Sequence, residues 1–123
     1  MKTIIKTMCV AKVLYDMYYA EKGVHMDEMK MHKLMYFSQR ESLMYNKDPL
    51  FDATFYGWKY GPVLTEVRSE FRMLKPFSNV EGTVSEHALK LLKSVLNRYG
   101  SLSLEAMKVD ATKELVARKA AIA

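Results

Sequence analysis

The stretch that decides the fold is residues 27–45, which read DEMKMHKLMYFSQRESLMY. Asp27 is a good helix N-cap, and Glu28 lies in the first turn, where the helix dipole favours an acidic side chain. At about 100° per residue, one side of the predicted helix carries the larger set: Met31, Leu34, Phe37, Ser38 and Tyr45. Nearly the opposite side carries a second stripe: Met29, Tyr36 and Leu43. A surface helix has one apolar stripe, so two stripes indicate either a central helix packed on both sides or a stripe reserved for a partner.

Further helices are predicted around this one, because glycine and proline are sparse and apolar residues recur at helical spacing. They are expected at about residues 7–21 before Gly23, from Gly61-Pro62 to Lys75-Pro76, from Ser85 to Gly100, and within residues 101–123. Between them, residues 51–59 are aromatic and apolar at alternate positions, which predicts one short β or extended element with Gly57 as a bulge. The fold class is therefore mainly α, a compact single domain (residues 1–123) of about five or six helices.

The composition narrows the class of protein. The chain is 50% apolar and 27% charged, the balance of a globular rather than a disordered protein. Cys9 is the single cysteine, which argues against a disulfide-built secreted domain. The longest apolar runs fall short of the roughly 18–20 residues of a membrane span, and Lys6 and Lys12 interrupt the start where a signal peptide needs an apolar core. We therefore expect a cytoplasmic protein that does not enter a membrane.

The formal charge of +5 is concentrated toward the C-terminal end. Residues 87–123 hold seven basic and three acidic side chains, a net charge of +4. Residues 1–86 hold the other twelve basic and eleven acidic side chains, a net charge of +1. Such asymmetry is typical of a nucleic-acid-binding surface or of a solvated helix face. A nucleic-acid-binding regulator is thus the alternative function, although the helix expected after Gly100 offers only Lys108 to read bases, where a recognition helix offers several side chains.

The sequence predicts neither a catalytic nor a metal site. His25 and His32 are seven residues apart, roughly 10 Å along a helix, which is too far to share a metal ion. Cys9 has no base beside it, and the sequence lacks a glycine-rich phosphate loop. Glu41 falls on the main apolar side of residues 27–45, where a carboxylate acts as a functional acid, pairs with a neighbour or lies beyond the edge of the core. We expect no cofactor and no enzymatic activity.

Two blocks of the sequence together resemble a known family. Residues 32–39, HKLMYFSQ, are similar to the "K-L-hydrophobic-Y-F-A-Q" helix of the SocA-like or Panacea domain. Residues 49–52, PLFD, and residues 58–63, WKYGPV, resemble its second signature, "P-L-F-x … W-x-Y-G-P-V". The spacing between the blocks is also similar, and the resemblance covers about residues 8–75.

The resemblance implies a small, mostly helical, non-enzymatic protein of bacteria or phages. Several family members are antitoxins that bind and neutralise unrelated toxin proteins, and one is an adaptor that delivers its toxin to a protease. The partner implied here is a cognate toxin encoded by a neighbouring gene, with a protease as a further partner. The family commonly ends in "L-T-H … P-W", whereas residues 104–110 read LEAMKVD. Residues 101–123 are therefore expected to be divergent.

Aromatic residues and methionines are the anchors that protein interfaces use. Eight of the fourteen Phe, Tyr and Trp residues lie between Tyr36 and Tyr60, which favours this segment as the contact region. We predict that a partner contacts five side chains: Met29, Tyr36, Leu43, Trp58 and Tyr60. The other positions of the two blocks are predicted to be structural: Lys33, Leu34, Phe37, Gln39, Lys59, Gly61, Pro62 and Val63.

Overall fold

The computed structural model describes residues 5–59 and 61–100. This part of the chain is mainly helical, as the sequence predicts. Its helices are α1 (Thr7–Lys22), α2 (Glu28–Glu41), α3 (Thr65–Glu70) and α4 (Glu86–Tyr99), and a π-helical turn (Ser42–Asn46) continues α2. Its strands are β1 (Tyr56–Trp58) and β2 (Gly61–Val63). A count of five or six helices is not confirmed, because the described residues hold four α-helices and the helices predicted within residues 101–123 lie outside them.

Three helix ends follow directly from the local sequence. The Asp27 side chain accepts a hydrogen bond from the backbone N–H of Lys30 (2.8 Å) and starts α2. Ser85 does the same for the N–H of Ala88 (3.1 Å) and starts α4. Gly23 ends α1 with φ of 75°, a left-handed conformation that glycine adopts readily. The sequence predicts these ends because a cap involves residues within a single turn.

α2 is the central helix of the described residues. Every side chain from residue 31 to residue 38 is buried, and α2 contacts α1, α3, α4 and β2. The two stripes of the sequence thus reflect packing on both sides of one helix over most of its length. The neighbouring helices contribute their own apolar faces to this core, including Val10, Leu14, Leu92 and Val95. None of the described helices combines the length and the apolar character that crossing a membrane requires.

The end of the central helix differs from the prediction. After α2 the chain widens into the π-helical turn, residues 42–46. The Ser42 hydroxyl is held inside this turn, where it donates to the backbone carbonyl of Asp48 (2.7 Å). A π turn breaks the 3.6-residue register of the helix. Tyr45, which the sequence assigns to the buried side, is therefore 63% exposed, and Met44 beside it is 54% exposed.

The aromatic segment forms one strand of a short antiparallel hairpin, so the predicted β element is present. Three pairs of residues face each other across it: Tyr56 and Val63, Gly57 and Pro62, Trp58 and Gly61. Gly57 pairs in register with its partner, so the predicted bulge at Gly57 is wrong. The hairpin is small, and its stability depends on packing against α2.

The third helix starts later than the sequence predicts. Gly61 and Pro62 lie in β2, because Gly61 has φ of 120°, which an α-helix does not accommodate. α3 begins at Thr65 and already ends at Glu70. Leu74, which lies inside the helix that the sequence predicts up to Lys75-Pro76, is 97% exposed.

Candidate interaction site

The two sequence blocks meet where Lys33 of α2 reaches Gly61 of β2. Lys33 is buried, and its Nζ lies so close to Gly61 that a Cβ at this position would overlap it. Glycine is therefore needed at residue 61 for two reasons, its positive φ and the space that the lysine occupies. Pro62 and Val63 are buried next to it. This close approach lies where the hairpin packs against the central helix.

His32 is fully buried on α2 and connects this helix to the start of α3. Its Nδ1 accepts a hydrogen bond from the backbone N–H of Leu64 (3.2 Å), and its Nε2 lies 2.9 Å from Oε2 of Glu28. The neutral ring therefore carries its proton on Nε2 and donates it toward Glu28. Burial lowers the pKa of His32, the hydrogen bond to Glu28 opposes this, and the charges of Lys33 and Arg68 lower it further. The neutral imidazole thus serves as a link within the core.

Gln39 holds the chain that follows the π-helical turn. Its Oε1 accepts hydrogen bonds from the backbone N–H groups of Leu50 (2.8 Å) and Phe51 (3.3 Å), and its Nε2 donates to the carbonyl of Phe51 (2.8 Å). One side chain thereby satisfies three backbone groups on the approach to the hairpin. Three more positions are predicted to be structural. Leu34 and Phe37 are buried, and Lys59 is exposed.

The buried carboxylate of Glu41 is paired with a cation. Arg98 of α4 donates to Oε1 of Glu41, and the charge of Glu41, together with the hydrogen bond that Arg98 donates to the Tyr45 oxygen, raises the pKa of Arg98. Beside this pair, the Arg40 guanidinium donates to the hydroxyl of Tyr99 (2.8 Å). Of the interpretations that the sequence leaves open for Glu41, the structure supports pairing with a neighbour, because Arg98 donates to its carboxylate. The contacts of Glu41 and Arg40 also join α2 to the end of α4.

The structure places Tyr36, the middle residue of the predicted contact stripe, inside the protein. Its side chain is only 5% exposed, because its ring packs edge-on against Phe37 and Phe55. Phe55 belongs to the segment that leads into β1, so the ring of Tyr36 packs against this segment from the side of the core. A partner can reach this part of the surface only through the residues that cover Tyr36.

The other predicted contact residues occupy different environments. Met29 and Leu43 are half-buried. Trp58 belongs to β1, and Tyr60 lies outside the residues that the structure describes. Sequence reasoning missed two exposed residues that follow Leu43 along the chain: Met44 and Tyr45. The signal for both was the turn at residues 46–49, since helical periodicity fails next to a turn.

The described residues contain no group of three or more His, Cys, Asp or Glu side chains that could hold a metal ion. His25 stacks between Tyr15 and Tyr19, with ring centroids 4.9 and 4.3 Å away. Cys9 is buried, and its Sγ donates to the backbone carbonyl of Glu81 (3.3 Å) at the wall of a cavity of about 330 Å³. Each of these side chains therefore has a packing role that accounts for its position.

Part of the basic C-terminal half lies in α4. Lys90 and Lys93 are exposed there, whereas Arg98 is engaged with Glu41. Lys108 and the helix predicted to carry it lie outside the described residues. Within the part of the chain that the structure describes, α4 thus shows the ordinary charge density of a solvated helix face.

A family model described as "Antitoxin SocA-like, Panacea domain" matches residues 31–109, which are 79 of the 123 residues. The matched range includes both sequence blocks, the hairpin, α3 and α4. The match confirms the resemblance that the two blocks indicate. The chain has no significant match among curated proteins or among solved structures.

Proposed function

Because the chain belongs to the antitoxin SocA-like, Panacea domain family, we propose that it binds and neutralises a cognate toxin protein encoded by a neighbouring gene. Neutralisation follows either because the working surface of the toxin is covered or because the bound toxin is handed to a protease. The family match over residues 31–109 is the observation that carries this proposal. The matched elements are those that the buried contacts of Lys33, His32 and Gln39 connect into one framework.

The proposed contact surface begins at the π-helical turn. Met44 and Tyr45 are more than half exposed, and the half-buried Leu43 precedes them. Tyrosine and methionine are effective anchors, because a large side chain of either type adapts to an apolar pocket. The hydrogen bond between Ser42 and Asp48 holds the turn in shape before a partner arrives. A preformed surface binds more tightly, because less conformational entropy is lost on association.

Met29, Trp58 and Tyr60 remain proposed contact residues, as the sequence predicts. Tyr36 is proposed to act differently, because Phe55 covers it and the partner cannot touch it without displacing that ring. Its role is to position the segment leading to β1. A Tyr36 substitution should therefore lower the stability of the fold and affect binding only through that change.

The test is co-expression with the product of the adjacent gene in a growth assay, followed by co-purification. We expect the neighbour to be toxic alone, and this chain to restore growth and to co-purify with it. The double variant Met44→Ala/Tyr45→Ala should bind at least about tenfold more weakly, since truncating interface anchors commonly costs about 2 kcal/mol or more. If the wild-type chain neither binds its neighbour nor restores growth, the antitoxin proposal is wrong.

Two matched variants test whether toxin binding depends on the apolar part of Tyr45 rather than on its hydroxyl group or on the positive charge of α4. Tyr45→Phe keeps the ring and removes only the hydroxyl that bonds to Arg98, so binding should change little. Lys90→Ala removes an exposed cation of α4 and should leave toxin binding unchanged. Binding through apolar anchors should also survive added salt. Binding to DNA would weaken with a log–log slope near −0.9 per phosphate contacted, and such a slope without toxin binding would favour the nucleic-acid-binding alternative.

A further inference from the structure

The loop after α3, residues 71–76, presents two large apolar side chains to solvent; we call it the 71–76 loop. Leu74 is 97% exposed and Met73 is 52% exposed. Arg72 and Lys75, which flank them, are exposed as well. An apolar side chain stabilises a fold in proportion to the area it removes from water. Leu74 therefore contributes almost nothing to the stability of the folded chain.

Both ends of the 71–76 loop are fixed to the core. Phe71 and Phe77 form a three-ring cluster with Tyr15, with ring centroids between 5.3 and 5.8 Å apart. The backbone N–H of Phe77 donates to Oε1 of Glu70 (2.8 Å), and the N–H of Met73 donates to the carbonyl of Glu70 (3.0 Å). The loop is thus held in a defined shape by packing and by hydrogen bonds at its base.

The base of the loop also contains a strained residue. Phe77 has φ of 64°, in the left-handed region that a bulky side chain rarely adopts. The residue is buried, so the surrounding packing imposes this conformation. Strained positions of this kind cluster at binding sites, where they hold a segment in the shape that a ligand needs. Here the strain lies at the base of the segment that exposes Met73 and Leu74.

The charged side chains within the loop are of one sign. Arg72 and Lys75 are the charged residues within residues 71–76, and both are basic. Glu70, the carboxylate that directly precedes the loop, is already engaged by the backbone N–H of Phe77. The loop therefore combines an apolar centre with cationic flanks. Its electrostatic and apolar complement is a hydrophobic pocket whose rim carries carboxylates.

We propose that the 71–76 loop is a second toxin-contact surface, whose Leu74 and Met73 enter an apolar pocket rimmed by Asp and Glu side chains on the toxin. This inference rests on the function proposed above. A protein pocket fits the loop better than a membrane, because two apolar side chains fall short of stable anchoring in a bilayer. It also fits better than DNA, because contacts to phosphates would leave Leu74 in water.

The apolar part of the proposal is tested with the full chain and its co-expressed toxin, by measuring the Kd of wild type, Leu74→Ala and Leu74→Met. Leu74→Ala should bind at least about tenfold more weakly, as expected for a central interface anchor. Leu74→Met keeps an apolar side chain of similar size and should stay within about threefold of wild type. Because Leu74 is exposed, the three proteins should unfold at the same temperature, which separates lost contact from misfolding.

The cationic part is tested by association kinetics. Arg72→Glu/Lys75→Glu should slow association with the toxin by about tenfold or more at low salt, and the difference should shrink as salt screens the charges. The matched control is Lys90→Glu/Lys93→Glu, which makes the same change of charge on the exposed face of α4. This control should associate at the wild-type rate.

The outcomes distinguish this proposal from the function on which it rests. If the wild-type chain binds no toxin, both the loop surface and the antitoxin function are overturned. If wild type binds the toxin and Leu74→Ala binds equally well, only the loop surface is overturned. Unchanged toxin affinity together with binding to anionic phospholipid vesicles that Leu74→Ala abolishes would overturn it in favour of a membrane contact.

Discussion

Replacing Gly61 by alanine should destabilise the fold strongly, because this glycine meets two constraints at once. Its φ of 120° is a conformation that residues with a Cβ rarely adopt. A Cβ would also overlap Nζ of the buried Lys33 and would come within 3.1 Å of its Cε. Moving the end of the lysine would relieve the overlap, but the alanine would still occupy an unfavourable backbone conformation.

The size of the effect is the sum of two costs. Holding a non-glycine residue in a sparsely populated backbone region costs about 1–3 kcal/mol. Displacing the Lys33 ammonium from its buried position costs about 1–3 kcal/mol more, the usual penalty when a buried polar group loses its site. The expected loss in the free energy of unfolding is therefore about 2–6 kcal/mol. That is a large share of the roughly 5–15 kcal/mol by which a native protein is stable.

The assay is equilibrium unfolding in urea. Two further variants separate the cost of the backbone conformation from the cost of displacing Lys33. Gly23→Ala is the control for the backbone, because Gly23 has φ of 75° and a Cβ there would meet no atom within 4 Å. It should cost about 1–2 kcal/mol. Lys33→Met is the control for the collision, because the methionine side chain ends near the position of the lysine Cε and lacks the ammonium group.

A double-mutant cycle gives the decisive number. In the Lys33→Met background, Gly61→Ala should lose only the backbone cost, so the coupling energy between the two positions should be about 1–3 kcal/mol. If Gly61→Ala costs the same in both backgrounds, the close approach of the lysine to Gly61 does not limit the fold. If Gly61→Ala costs no more than Gly23→Ala, the argument from the two constraints is refuted.

Two further predictions concern buried polar links. Burial lowers the pKa of His32 below the ordinary value of 6.5, so the unfolded chain binds the proton more readily and the free energy of unfolding should fall as the pH drops below about 6.5. His32→Asn, which offers the Leu64 N–H an acceptor that does not titrate, should flatten this dependence in urea unfolding; an equal pH slope in both proteins would contradict it. Gln39→Ala leaves backbone groups at Leu50 and Phe51 without their partner and should cost about 2–4 kcal/mol. Gln39→Glu keeps the oxygen that accepts from Leu50 and Phe51 and should cost less; equal losses would show that this acceptor contributes nothing.

Local sequence determined the class of the fold and several of its boundaries. Asp27 and Ser85 start helices and Gly23 ends one, because a cap involves groups within one turn of each other. Packing of the central helix on both sides is one of the two interpretations that the sequence leaves open. The two sequence blocks also indicated the family, since residues 31–109 match its model.

Tertiary structure alone decided which of the candidate side chains face water. Helical spacing places Tyr45 on the main apolar side of the central helix and Leu74 inside the third helix, but the π-helical turn and the early end of α3 expose both. The partners of Lys33 and Glu41 lie 28 and 57 residues further along the chain, at Gly61 and Arg98. Helical spacing describes neighbours within a few turns, whereas the approach of Lys33 to Gly61 and the pairing of Glu41 with Arg98 depend on segments that meet only after the chain has folded.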